Sequence, residues 1–141
     1  MADKVAFELV SPEKLLLATE ADMVVMPGEE GDFGVLPQHI PVIAALRPGV
    51  IQIFDGEKVR ERIMVSGGFA EVTGERCTVL VEDAIPFADV SPQWLDNRLK
   101  AAEAALLDAN ETGNDHAKAL AEKQIAAAQE MRRTYDYYTT H

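Results

Sequence analysis

A short acidic and glycine-rich stretch carries the residue types that most often do chemistry. It runs from Pro27 to His39, reads PGEEGDFGVLPQH, and holds three glycines, three acidic residues and one histidine. Glycines at a tight turn can cradle a phosphate, a histidine can act as a general base, and carboxylates can bind a metal ion. A rigid surface loop that docks onto a partner is the fourth interpretation.

The spacing of these residues disfavours a phosphate or metal site. The stretch lacks the Gly-Lys-Ser/Thr ending of a P-loop and the Gly-x-Gly-x-x-Gly spacing of a dinucleotide fold. The carboxylates of Glu29, Glu30 and Asp32 would also repel a phosphate. A metal site needs clustered ligands, whereas the other histidines and the one cysteine are scattered along the chain. We therefore predict no metal and no cofactor.

His39 is flanked by Pro37 and Pro41. A lone histidine is more often a structural or interface residue than a catalytic base, and neither Ser66 nor Cys77 has the context of an activated nucleophile. The prolines fix the backbone locally, while the glycines allow tight turns. We predict a docking loop with no catalytic residue. A hydrolase that uses His39 with a nearby carboxylate is a distant alternative.

Up to Pro86, apolar and polar residues alternate at the period of a β-strand, with frequent turn signals between them. Asp55-Gly56 predicts a type I′ hairpin turn, and a second hairpin is predicted to turn at Gly74. About nine or ten short strands result, which indicates an all-β sandwich or flattened barrel. Cys77 lies within one alternating segment, so we expect it to be a buried and unreactive thiol.

From Ser91 onward the periodicity is helical. Ser91 is a predicted N-cap, Pro92 suits the first helical position, and Gly113 predicts an exit before a second helix. The predicted apolar faces comprise Leu95, Leu99, Ala102 and Leu106, then Leu120, Ile125, Ala128, Met131 and Tyr135. These faces predict an antiparallel helical hairpin with an alanine-rich seam. Since alanine buries little area, a mobile appendage and a hairpin packed permanently on the β-domain both fit.

We therefore predict a β-sandwich domain over residues 1–86 and a C-terminal two-helix hairpin over residues 87–141. The chain has 13 basic and 24 acidic residues, for a net charge of −11. Such a surface repels phosphate backbones and anionic lipids, which disfavours nucleic acid and favours a protein partner. Without an apolar run of about 20 residues or a leader pattern, we expect a soluble, non-exported chain with no direct membrane insertion.

Three ordered segments resemble one family, the ε subunits of rotary ATP synthases. They are FELVSPEKLL, PGEEGDFGVLPQHIPVIAALRPGVIQI and VSGGFAEVTGERCTVLVEDA, and the predicted hairpin follows them. The resemblance implies a ten-stranded β-sandwich followed by two antiparallel helices. It also implies a central-stalk subunit without an active site, which binds the γ subunit and rests on the ring of c subunits. Its place would be peripheral, on the cytoplasmic face of a bacterial inner membrane.

The resemblance assigns two contact sites within the opening stretch. Gly28, Glu29, Glu30, Gly31 and Asp32 correspond to the edge that faces the c-ring. His39 corresponds to part of the surface that faces γ. The acidic side chains of the first site would suit polar or basic loop ends of the ring subunits.

The hairpin departs from family members that bind ATP. Their first helix begins with Ile/Leu-Asp-x-x-Arg-Ala, whereas Ser91 and Trp94 stand here in place of the Asp and the Arg. The second helix offers only the adjacent arginines Arg132 and Arg133, so we expect weak or absent ATP binding.

The resemblance also implies that the hairpin can contact the catalytic α/β head, since in the family an extended hairpin inhibits ATP hydrolysis through basic residues that meet acidic segments of the head. Residues 87–141 carry six basic and nine acidic side chains, which disfavours binding to an acidic part of the head. We therefore expect little inhibition of ATP hydrolysis. A stand-alone β-sandwich that binds a ligand under a helical lid is the alternative to a stalk subunit.

Overall fold

The structure is a computed structural model that describes residues 4–140, and the chain divides into two compact units with the boundary between residues 89 and 90. The first unit is a β-sheet domain and the second consists of two helices. This architecture confirms the expected fold class. The domain boundary between residues 86 and 87 stays a prediction, because compactness does not measure independent folding.

Ten strands make up the first unit. They are β1 (Val5–Val10), β2 (Leu15–Ala21), β3 (Met23–Gly28), β4 (Gly31–Val35), β5 (Val42–Leu46), β6 (Gly49–Asp55), β7 (Lys58–Val65), β8 (Gly68–Val72), β9 (Arg76–Val81) and β10 (Ala84–Pro86). Hydrogen bonds join them into one curled sheet in the order β10-β7-β6-β3-β5-β8-β9-β1-β2, with β4 paired to β3. The pair β1 and β9 is parallel, whereas hairpin neighbours such as β6 and β7 are antiparallel.

Alternate residues of these strands form one apolar core inside the curled sheet. Phe7, Met26 and Ile51 are fully buried there. Cys77 is part of the same core, and its Sγ lies 3.8 Å from the Sδ of Met26. Burial raises the pKa of the Cys77 thiol to about 12, so the thiol stays protonated at neutral pH. The sequence prediction that Cys77 is buried is confirmed.

Asp22, between β2 and β3, ties the β6–β7 turn to the start of β1. Its carboxylate pairs with the Nζ of Lys4 at 2.8 Å and accepts a hydrogen bond from the amide of Gly56. Asp55 pairs with Lys58, so the turn residues are Gly56 and Glu57. Gly56 has a φ of 61°, but neither Asp55 nor Glu57 has a positive φ, so the prediction of a type I′ turn at Asp55-Gly56 was wrong. The hydrogen bond from Lys4 is the main cause that lowers the pKa of Asp22, and the Gly56 amide adds to it.

A 3-10 turn, Phe87–Asp89, ends the first unit, and two helices, α1 (Pro92–Thr112) and α2 (Asp115–Thr140), form the second. The hydroxyl of Ser91 accepts a hydrogen bond from the Trp94 amide at 3.1 Å, which confirms the predicted N-cap. Gly113 ends α1 in the left-handed conformation, with a φ of 68°. Neither helix within residues 4–140 is long and apolar enough to cross a membrane.

The buried side chains of each helix lie on one face, and most of them are alanines. They are Leu95, Ala102 and Ala109 in α1, and Ala121, Ala128 and Met131 in α2. The prediction that Leu120 belongs to this face was wrong, since Leu120 is 51% exposed and Ala121 takes the buried position. Ala121 lies seven residues before Ala128 and therefore on the same side of α2, whereas Leu120 is rotated by about 100° from that side.

We expect the Asp22→Asn substitution to lower the thermal unfolding midpoint at pH 7. Because the pKa of Asp22 is lowered in the folded state, its stabilising effect is complete above the ordinary Asp pKa of about 3.9 and disappears as pH falls through the folded-state pKa. The difference between variant and parent should therefore shrink below about pH 4. Circular dichroism melts across pH would measure it.

Glu57→Gln, which removes an exposed carboxylate in the same turn, is the matched control and should show no such pH-dependent difference. A deficit of Asp22→Asn that stayed constant from neutral to strongly acidic pH would rule out a stabilising role for the charge of Asp22.

Candidate functional site

The acidic stretch is a tight hairpin turn between β3 and β4. Gly28 pairs with Gly31, which leaves Glu29 and Glu30 exposed at the tip. Gly31 has a φ of 136°, which side chains rarely adopt, and a Cβ on Gly28 would lie 2.6 Å from the carbonyl oxygen of Gly31. Both positions therefore require glycine. The turn has the restricted, shaped backbone that the sequence predicted.

Arg47, directly after β5, holds this turn from the side. Its guanidinium donates one hydrogen bond to the carbonyl oxygen of Gly28 and another to Oδ1 of Asp32, each at 2.5 Å. Of the three carboxylates in the turn, Asp32 is therefore the one that forms an ion pair with Arg47. Within residues 4–140, no hydrogen bond or ion pair holds the side chains of Glu29 and Glu30.

His39 lies beyond the other end of β4. Its Nδ1 is 2.6 Å from the carbonyl oxygen of Ile40, and its amide donates to the carbonyl of Leu36 at 3.2 Å. The amide of Gln38 donates to the carbonyl of Gly74, which ties this segment to the β8–β9 turn. The hydrogen-bond partner of the imidazole is thus a backbone carbonyl.

The two predicted contact sites are separate. Of the five residues of β4, Gly31 and Asp32 belong to the acidic turn, and Phe33 to Val35 lie between the turn and the segment that contains His39. At about 3.3 Å per strand residue, these three residues separate the two sites by roughly 10 Å. The structure thus brings Gly28 to Asp32 together at one end of the strand and leaves His39 at the other end.

An apolar surface crosses the outside of the sheet. Register places Ala45, Phe69, Leu80, Val10 and Leu15 side by side on five neighbouring strands, β5, β8, β9, β1 and β2. Phe69 is 60% exposed, Leu80 47% and Leu15 54%. Ile43, two residues before Ala45 and therefore on the same side of β5, is 73% exposed. We call these six residues the outer apolar face.

Polar side chains border the outer apolar face. The adjacent cross-strand row on the same side contains Glu71, Thr78 and Glu8, and Glu8 pairs with Arg76 at 2.8 Å. An apolar centre with a polar border is typical of protein interfaces. The sequence analysis missed this surface. Strands with apolar residues in both phases, such as Val42–Leu46, were the signal that could have revealed it.

The residues at which the hairpin departs from the ATP-binding motif have local structural roles. Ser91 caps α1, and Trp94 lies 5.3 Å from the guanidinium of Arg98 in a cation–π contact. The two arginines of α2 are paired within the hairpin: Arg132 bonds to Asp96 and Asp136 at 3.4 and 3.3 Å, and Arg133 bonds to Glu130. Among residues 4–140, no three His, Cys, Asp or Glu side chains are grouped to hold a metal ion.

The same fold occurs in solved mitochondrial ATP synthases. A chain of the Euglena gracilis enzyme aligns with a TM-score of 0.69 and 18% identity, covering 99% of this chain and 82% of that one. A chain from the central stalk and c-ring structure of Tetrahymena thermophila gives a TM-score of 0.60 and 17% identity, over 94% and 96% of the two chains. At these identities the similarity shows a shared fold.

Sequence comparisons show the family. Residues 4–87 match the β-sandwich domain of the ATP synthase delta/epsilon chain. The ATP synthase epsilon chain of Paramagnetospirillum magneticum is 51% identical over 131 residues, which cover 93% of this chain and 96% of the relative. That of Rhodospirillum rubrum is 47% identical over 131 residues, covering 90% and 98%. This chain belongs to the ATP synthase epsilon chain family.

Proposed function

We propose that this chain is a non-catalytic subunit of the central stalk of a proton-translocating ATP synthase. It couples rotation of the c-ring, through γ, to ATP synthesis in the catalytic head. The outer apolar face carries this proposal, because an exposed apolar band on a folded domain marks a surface that a partner covers. As part of the complex, the chain is a peripheral subunit on the cytoplasmic face of a bacterial inner membrane.

The γ subunit is the partner we assign to the outer apolar face and to His39. Ile40, next to His39, is 79% exposed, and Ile43 continues the same exposed apolar chain segment into β5. His39 therefore adjoins the apolar band. A largely apolar, polar-bordered surface supports a long-lived interface, as a shaft that transmits torque requires.

The c-ring is the partner we assign to the acidic turn, from Gly28 to Asp32. The turn is rigid, and its exposed carboxylates suit polar or basic loop ends through electrostatic complementarity. It lies at the opposite end of β4 from His39, so one rigid sheet can contact shaft and ring together. Rotation of the ring would then reach the shaft without flexing the subunit.

The hairpin has a weak regulatory role in this proposal. Its charge is net acidic, and Arg132 and Arg133 are already paired with acids of the same hairpin. Binding an acidic part of the α/β head would require breaking those pairs, which costs affinity. The loss of the ATP motif at Ser91 and Trp94 supports weak or absent ATP binding.

We expect Phe69→Glu to weaken binding to an isolated γ subunit by about 30-fold or more, which is the effect of losing a central interface residue. The fold should be retained, because Phe69 is 60% exposed. Leu120→Glu, at a leucine of the hairpin that is 51% exposed, is the matched control and should bind normally. Calorimetric titration measures both affinities. Equal affinities of the two variants for γ would show that γ does not bind the outer apolar face.

We expect Glu29→Gln combined with Glu30→Gln to weaken binding of the γ-bound chain to c-ring proteoliposomes at low salt. Exposed ion pairs contribute about 0.2–1 kcal/mol each, so the loss of two pairs should weaken binding roughly two- to thirtyfold. The difference in affinity between variant and parent should disappear above physiological salt, because salt then screens the ion pairs of the parent as well. Glu57→Gln combined with Glu75→Gln is the control with the same charge change. A loss independent of salt would contradict an electrostatic ring contact.

We expect removal of residues 90–141 to change the ATP hydrolysis rate of the assembled enzyme by less than about twofold, because an acidic hairpin with paired arginines binds the head weakly. Steady-state hydrolysis by reconstituted enzyme with the full or shortened chain measures the change. A strong activation on removal would show that the hairpin inhibits the head.

A further inference from the structure

We propose that Arg47 is a positioning residue that fixes the shape of the acidic turn and cancels the charge of Asp32. The role of the turn as a ring contact rests on the proposed function above. The effect of Arg47 on the turn is a property of the chain alone. The two can therefore be tested separately.

The contacts of Arg47 straddle the tip of the turn. Gly28 precedes the tip and Asp32 follows it, and the guanidinium bonds to both at 2.5 Å. A planar guanidinium can donate to two acceptors at once, whereas a lysine ammonium is a single point charge. The side chain of Arg47 therefore closes the turn from both strands of the hairpin.

The backbone that carries Arg47 is itself held against β3. The amide of Arg47 donates to the carbonyl of Pro27 at 2.9 Å, and the amide of Glu29 donates to the carbonyl of Ala45 at 3.0 Å. A Cβ on Gly49 would lie 2.9 Å from the Cβ of Pro27, so the β5–β6 corner approaches β3 as closely as glycine allows. These contacts hold the backbone of Arg47 in place beside the turn.

The three carboxylates of the turn therefore differ in whether their charge is paired. Asp32 and Arg47 form an ion pair, so the charge that the turn presents comes from Glu29 and Glu30. Without Arg47, the carbonyl of Gly28 loses its side-chain donor and Asp32 adds an unpaired charge. Arg76 serves as a matched control, because it pairs with Glu8 between strands and not at this turn.

Amide hydrogen exchange of the isolated full chain tests this role. Arg47→Ala should accelerate exchange of the amides in the turn roughly tenfold, the size expected for losing a charged hydrogen bond. Asp32→Asn, which removes the same pair from the other side, should accelerate the same amides. Arg47→Lys should restore part of the protection. The core amides of β6 to β9 should be unchanged in all variants, and Arg76→Ala should leave the turn unchanged.

The double variant Arg47→Ala with Asp32→Asn should exchange no faster than Arg47→Ala alone, because both changes remove one interaction. Unchanged turn exchange in Arg47→Ala, additive effects in the double variant, or acceleration shared by the whole core would each overturn the positioning role.

A second measurement separates this role from the proposed ring contact. In reconstituted ATP synthase, Arg47→Ala should lower the number of protons pumped per ATP hydrolysed, relative to Arg60→Ala, which removes an ion pair with Asp55 outside both proposed contact sites. Faster turn exchange together with unchanged pumping would overturn the ring contact and leave the positioning role of Arg47 intact.

Discussion

The register of the curled sheet is the constraint on which the other features depend. Side chains of a strand alternate between its two sides, so a slip of one residue in β8 would turn Phe69 inward and Ala70 outward. The same strand pairing therefore determines which side chains form the core and which form the outer apolar face. Strand pairing that buries Ala70 and Val72 necessarily exposes Phe69 beside Leu80.

This double use of the strands explains how a small domain can transmit force. The sheet is rigid because a continuous apolar core fills its interior. The acidic turn and His39 are attached to opposite ends of β4, and the β5–β6 corner braces the turn through Arg47. A load applied at one end would reach the other through backbone hydrogen bonds and packed side chains.

Local signals predicted much of the fold, because they act between neighbouring residues. The presence of hairpin turns near Gly56 and Gly74, the cap at Ser91 and the exit at Gly113 follow from the chemistry of a few adjacent residues, although the turn type at Gly56 does not. The Arg47–Asp32 pair and the outer apolar face depend on strands that meet only in the folded sheet, so spacing alone could not reveal them. The prediction for Leu120 was wrong for a related reason, since the side of α2 that faces α1 is set by contacts between the two helices, and it contains Ala121 and Ala128.

Proton pumping by an enzyme reconstituted with and without this chain tests the central claim most directly. We expect the enzyme that lacks the chain to hydrolyse ATP but to pump few or no protons, because the link between shaft and ring is missing. Adding the purified chain back should restore pumping without adding hydrolytic activity of its own. Full pumping in its absence would contradict a coupling role for this subunit.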